Sequence, residues 1–375
     1  MSRYANEITA LLRSMIWNEP LSCDPSVLLE PALWYMARRQ HMDHMLAVWA
    51  LNQGLPTIQP QELKLRVFHT LQRTERQKTI LQQTVRVLRE QKIEPVLIKG
   101  HSIAVLYPNP DMRSSADVDM YIGEQEYDHM IAVMRAAFPE AYWFSEEHAG
   151  LHFAVVMDEK LDLAVELHRV AMDLHNIPDG DRAFQDFTHH EMTHTRTLRV
   201  GDTDVSIPSL AFDALYIFMH AWHHFESSGV GLRQLADWSL ALHAAREVDG
   251  LAETLRPVLQ RMRMLEVWQI FGWVLVHHLG LPSEEFPLYT DACSKKGEQL
   301  FRQLIKDGHC GREPKMRLFG STLYYFPYQR PEKGRLKQKI YTFLRLTFQM
   351  MQTRKLFPRY AYRSYLGALV SKKKR

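Results

Sequence analysis

The sequence predicts an α+β (α/β) chain in which a small mixed β-sheet is flanked by N-terminal and C-terminal helical regions. Three observations carry this. Residues 62–91 form the longest helical pattern, rich in Leu, Gln, Arg and Glu and free of Gly and Pro. Short runs of strand character follow at 96–98, 117–122, 152–157, 161–168 and 195–207. From 208 to about 279 the helical period returns.

Up to about residue 24 the chain reads as helix, with Ile8, Leu11, Leu12 and Met15 at helical spacing. Further helices after Pro25 and Ser26 offer Leu28, Leu33, Met36, Met45, Trp49 and Leu51 as core, and Gly54, Pro56 and Pro60 close that segment. Val96, Leu97 and Ile98 suit a buried central strand. After Gly100, residues 102–107 form a short helix stopped by Pro108 and Pro110. A strand that ends in glycine and opens a helix leaves unpaired amides suited to a phosphate. Residues 124–138 predict a helix, 152–157 and 161–168 an antiparallel hairpin, and 195–207 a second hairpin turning at Gly201 and Asp202. Residues 286–331 read as less regular. The expected organisation is an N-terminal helical region (1–91), a sheet domain (92–207), a C-terminal helical domain (208–330) and a basic aromatic tail (331–375).

The chemistry centres on Asp117 and Asp119. Two residues apart on a strand, they share one face, while Val118 and Met120 point the other way into a core. Adjacent carboxylates repel, and a cation or proton between them relieves the repulsion. Mg²⁺ binds one or two carboxylates together with substrate phosphates. On the strand at 161–168, Asp162, Glu166 and His168 share one face, which supplies a third carboxylate.

Composition narrows the alternatives. The chain is 46% apolar and 24% charged, ordinary for a globular protein. No apolar run is long enough for a transmembrane segment, and Arg3, Glu7, Arg13 and Glu19 interrupt any secretory core, so a cytoplasmic location is expected. Cys23, Cys293 and Cys310 form no CxxC pair, which argues against a disulfide framework or a thiolate zinc site. His220 and His224 share a helical face, but Ala221 and Trp222 replace the glutamate an HExxH zinc hydrolase needs. Charge is uneven: residues 330–375 hold 14 Lys or Arg and one acidic residue, a net +13, leaving −10 on residues 1–329 of a chain whose total is +3. With Tyr341, Phe343, Phe348, Phe357, Tyr360, Tyr362 and Tyr365 interleaved, this tail suits either an anionic surface or packing on the acidic body.

A glycine turn opening a short helix, a D-x-D strand and a later acidic strand resemble the active-site plan of the polymerase-β-like nucleotidyltransferases. Within that superfamily the chain resembles the uncharacterised nucleotidyltransferase family of NTP-transferase-5 type. The residues that carry the likeness are Ile98-Lys99-Gly100, Leu106-Tyr107, Arg113, Asp117-Val118-Asp119 and Glu166-Leu167-His168. Pro208-Ser209, His220, Arg233 and Asp237 extend it into the helical part. The acidic-apolar-His pattern selects Glu166 over Asp162. The turn reads Gly-His-Ser where the superfamily prefers Gly-Gly or Gly-Ser, a departure that the backbone role survives.

The resemblance implies a catalytic and metal-binding set of Asp117, Asp119 and Glu166, with Mg²⁺ or Mn²⁺ as cofactor. It implies nucleotide contacts from Lys99, Gly100, His101, Ser102, Arg113, Arg233 and Asp237, and a C-terminal helical domain that closes over the site. The implied reaction transfers a nucleoside monophosphate from an NTP to an acceptor (a small molecule, glycan precursor, RNA or protein) and releases pyrophosphate. A catalytically silent nucleotide-binding or scaffold protein, and a toxin-like enzyme modifying RNA or protein, are the alternatives.

Overall fold

A computed structural model describes residues 4–144, 152–158, 163–174, 177–227, 229–309, 315–318, 321–324, 343, 347, 350–351 and 353–370. Helices α1 (Ala5–Trp17), α2 (Pro31–Arg39), α3 (Asp43–Asn52) and α4 (Pro60–Glu90) lead to strand β1 (Val96–Ile98) and the short helix α5 (Gly100–Ala104). Next come β2 (Asp117–Tyr121), α6 (Tyr127–Ala137), β3 (Tyr142–Phe144), β4 (His152–Asp158) and β5 (Leu163–His168). Helix α7 (Pro178–Glu191) comes next, and the hairpin β6 (Arg196–Val200) and β7 (Thr203–Ile207) completes the sheet. Helices α8 (Leu210–Ser227), α9 (Leu232–Ala245), α10 (Leu251–Arg261), α11 (Leu265–Val274) and α12 (Ser294–Asp307) follow.

The fold is α+β, with a seven-stranded mixed sheet in the order β3-β4-β5-β2-β1-β7-β6. Central β2 runs antiparallel to β1 and parallel to β5. The sheet's two faces enter different cores. On one, Leu97, Val118, Met120, Leu163, Val165 and Leu167 pack with Ile80, Leu81, Val85 and Leu88 of α4 and Tyr127, Met130 and Met134 of α6. The spacing of those α4 residues makes one helical stripe, and burying each aliphatic side chain is worth roughly 1.5–3 kcal/mol. The other face carries Ile98 and Tyr121 into the large helical core shared by α1–α3 and α8–α12.

Two sequence expectations change. Pro60 opens α4 at its first turn, where its missing N–H costs nothing, so it starts a helix as well as following a break. Within the stretch expected to be irregular, α12 is regular, because its Leu300, Phe301, Leu304 and Ile305 form a buried face. The hairpin turn expected near residue 160, and most of 325–352, lie outside the described residues. Of the aromatic tail, Phe357 and Tyr360 pack on the body: Trp222 lies 5.2 Å from Phe357 and 5.0 Å from Tyr360 between ring centroids, and its Nε1 donates to the Tyr360 hydroxyl at 3.1 Å. Tyr362 and Leu366 remain exposed. Among the described residues no helix is long and apolar enough to cross a membrane.

Candidate active site

Strand register builds the acidic half of the site. Asp119 on β2 lies directly opposite Glu166 on β5, and Asp117 opposite Ala164. Period-2 geometry then sends Asp117, Asp119 and Glu166 to the same face, away from Val118, Met120, Val165 and Leu167. Helix α4 fixes where β2 begins: Arg73 donates to the carbonyls of Ser115 at 2.9 Å and Ala116 at 2.6 Å, and Gln77 to that of Ser115 at 3.3 Å.

Asp119 is buried and bridged twice through Oδ1, by Lys99 Nζ at 2.7 Å and by His168 Nε2 at 2.8 Å. His168 Nε2 is also 3.5 Å from Glu166 Oε2. Burial by itself would raise the Asp119 carboxyl, but Lys99 and His168 outweigh it and hold the group well below the usual carboxylate range. The same contacts overcome burial at Lys99 and at His168, keeping both basic. Asp117 goes the other way. Burial first, then the charges of Asp119 and Glu166, push it up to about 7, helped by a hydrogen bond to Asp119 that only its protonated form can donate.

Three carboxylates thus face one ammonium and one imidazole, and the remaining negative charge makes Asp117 hold a proton more readily. Such a set fits a hard divalent cation, which would take that proton's place. Asp119, Glu166 and His168 offer ligand atoms all within 4.8 Å of one another, the one such cluster among the described residues. Asp117, expected as a ligand, lies beside this cluster on the same face, and His168 is the cluster's third member.

Lys99 reaches Asp119 from a costly backbone. At φ 57°, ψ −157° it occupies a region used almost only by glycine, which costs on the order of 1–3 kcal/mol. Gly100 follows at φ +40°, and a Cβ there would lie 2.7 Å from Ser115 Oγ, so glycine is required. Ser102 lies fully buried, with its N–H and its hydroxyl both donating to the Lys99 carbonyl at 2.8 Å, which locks the turn. His101 is buried, and loss of water first, then the charges of Arg113 and Lys78, depress its ring to about 4.

Helix α9 and the loop before β2 supply a basic half. Arg113 grips Asp237 with Nε at 3.2 Å and Nη2 at 3.1 Å, Arg233 adds Nη1 at 3.2 Å, and the Tyr107 hydroxyl donates at 2.7 Å. One carboxylate therefore serves two guanidiniums. Spacing along α9 predicts the Arg233–Asp237 pair; nothing local announces Arg113, 124 positions from Asp237. The halves adjoin, since Asp117 acts electrostatically on both Arg113 and Arg233. Tyr216, on α8, lies beside Lys99 and the three carboxylates, and burial raises its hydroxyl. The sequence offers no signal for it beyond its place one turn before His220.

A strand-borne carboxylate face beside a glycine turn, with an arginine pair adjoining it, is a nucleotidyltransferase-type arrangement. The chain belongs to a family described as uncharacterised nucleotidyltransferase, whose model matches residues 30–280. A solved structure, that of an antigenic nucleotidyltransferase-like protein from Paracoccidioides brasiliensis, is similar at 15% identity over 58% of this chain and 95% of that chain, with a TM-score of 0.34. The search of curated proteins returns no match.

Proposed function

We propose that the protein is a metal-dependent nucleotidyltransferase that moves a nucleoside monophosphate from an NTP to an acceptor and releases pyrophosphate. The observation that carries this reading is the register of β2 against β5, which sets Asp119 beside Glu166 with Asp117 on the same face. A bound Mg²⁺ or Mn²⁺ would align the triphosphate and neutralise charge at the attacking and leaving oxygens. Asp119 and Glu166 would hold it, with Asp117 ionising to complete the set. Lys99 and His168 orient Asp119, and the tight turn at Gly100 lets a phosphate approach the backbone. Arg113, Arg233 and Asp237 form the basic wall opposite.

The acceptor falls within four classes: small molecule, glycan precursor, RNA or protein. An anionic surface held by the basic tail belongs to the same proposal. Incubation with each labelled NTP, Mg²⁺ or Mn²⁺ and cell extract should transfer label to a discrete product. Asp119→Asn should abolish that transfer; labelling that persists in it would remove the carboxylates from the mechanism.

A specific observation favours the silent reading instead. Lys99 and His168 both sit on the same oxygen of Asp119 and already neutralise it. That reading requires NTP binding with no metal-dependent turnover in the same assay.

A further inference from the structure

We propose that Arg233, His41, His224 and His309 form a subsite for a phosphate group, adjoining the carboxylate face and open to solvent along the imidazoles. This rests on the nucleotidyl-transfer reading and deepens it: the phosphate belongs to the NTP tail or to a phosphorylated acceptor.

Charge is the first argument. Arg113 and Arg233 share the single carboxylate of Asp237, which leaves one positive charge in excess in a place where the Arg233 side chain is only 17% exposed. Buried charges are normally paired. The only side-chain hydrogen bond of Arg233 among the described residues goes to Asp237, so most of its donors are left for a ligand. Its guanidinium is destabilised first by burial and then by Arg113, a condition that an anion relieves.

The rings are the second argument. His41 lies between α2 and α3, His224 on α8 and His309 just after α12, so three distant segments converge. Ring centroids are 3.7 Å apart for His41 and His309 and 5.3 Å for His224 and His309. Arg233 acts electrostatically on all three. His41 is the most accessible residue of the three and the other two are half-buried, which makes the group a path inward. One turn earlier on α8, His220 stands 4.6 Å from His224 and within the field of Lys99 and Asp119.

Construction of the loop is the third. His41 holds a left-handed backbone at φ 56°, unusual for a residue with a side chain. The His309 N–H donates to the Arg39 carbonyl at 2.7 Å, and a Cβ on the preceding Gly308 would meet that oxygen at 2.5 Å. The contact that presents His309 therefore needs glycine before it.

Hydrogen bonding then fixes what His309 presents. The Gly231 N–H donates to Gln234 Oε1 at 2.9 Å, which orients the amide and leaves Gln234 Nε2 to donate to His309 Nδ1 at 2.9 Å. Nδ1 is an acceptor, so the ring proton is on Nε2. That N–H has no acceptor among the described residues and is a donor awaiting one. Burial, with His41 and Arg233, holds His309 near 4, so it binds as a neutral donor and Arg233 supplies the charge.

The test titrates the full chain with inorganic phosphate in EDTA by calorimetry. Saturable binding is expected. His309→Leu should weaken it about tenfold or more, the size of one hydrogen bond to a charged group, whereas His309→Gln, which keeps an N–H at similar reach, should stay within about threefold. If His309→Leu does not fold, His41→Leu replaces it, and the same loss is required. No saturable binding up to about 20 mM phosphate, or equal binding by wild type and the Leu variant, overturns the subsite. Tripolyphosphate that displaces phosphate assigns it to the nucleotide tail; tripolyphosphate that binds alongside assigns it to the acceptor. The titration needs no turnover, so phosphate binding without nucleotidyl transfer would sink the enzyme reading alone, and transfer without His309-dependent binding would sink the subsite alone.

Discussion

The two halves of the cleft are made from opposite materials by opposite means. On the sheet, three carboxylates face Lys99 and His168, and positive charge is in deficit. Beside it, Arg113 from the loop before β2 and Arg233 from α9 share Asp237, and positive charge is in surplus. Strand register alone places the first set, because residues opposite one another on β2 and β5 must share a face. The second set is gathered from segments more than a hundred residues apart and depends on tertiary packing. A deficit beside a surplus suits a ligand that carries both signs, and a metal–triphosphate is such a ligand. Each half can be broken separately.

The largest effect is expected in the acidic half. Asp119→Asn removes the residue on which Lys99 and His168 converge, and under the proposed reaction loss of this carboxylate should lower kcat about 10³-fold or more. EDTA should do the same to the wild type and Mg²⁺ or Mn²⁺ should restore it, as measured by pyrophosphate release. In the basic half the corresponding change acts on stability. Asp237→Asn leaves two buried guanidiniums without their carboxylate and should cost about 3 kcal/mol, read from urea unfolding. A small loss there would mean that the surplus is already compensated and that the halves do not differ as described.

Acid should separate the halves next. His309 is held near 4 by burial and its neighbours, and His41 near 4 by loss of water and Arg233. Both are depressed below the value of about 6.5 expected in the unfolded chain, so unfolding takes up protons in between. Stability is therefore full above about pH 6.5 and falls as pH drops through about 4. The double variant His41→Asn, His309→Asn should flatten that fall in thermal unfolding followed from pH 7 to pH 4, a smaller change than at Asp237. An unchanged slope would mean that both rings are already charged in the folded chain.

How much the sequence disclosed follows the same division. The D-x-D face and the hairpin that carries the third carboxylate could be read because alternation is a local rule, while the choice of Glu166 over Asp162 came from the family resemblance. The stripe on α4 and the Arg233–Asp237 pair could be read from helical spacing. Arg113's grip on Asp237, the meeting of His41 with His309 and the place of Tyr216 could not, because no local period links those positions. In the tail, charge and aromatics allowed two outcomes, and Phe357 and Tyr360 took the packing one.

The smallest effect concerns the seam between the halves. Gly100 sits where Lys99 turns from β1 into α5, and its φ of +40° together with the 2.7 Å approach of Ser115 Oγ opposes any side chain. Gly100→Ala should therefore cost about 1–2 kcal/mol. Ser115 also accepts a hydrogen bond from Arg113 Nη1 at 2.9 Å, so displacing it disturbs the basic half as well. Adding Ser115→Gly clears the space near the new methyl but leaves the backbone strained. The double variant should recover part of the loss, and the unrecovered part, read as a difference in urea midpoints, measures what the positive φ alone demands. Full recovery would show that Gly100 is kept for space; no recovery would show that it is kept for the turn that aims Lys99 at Asp119.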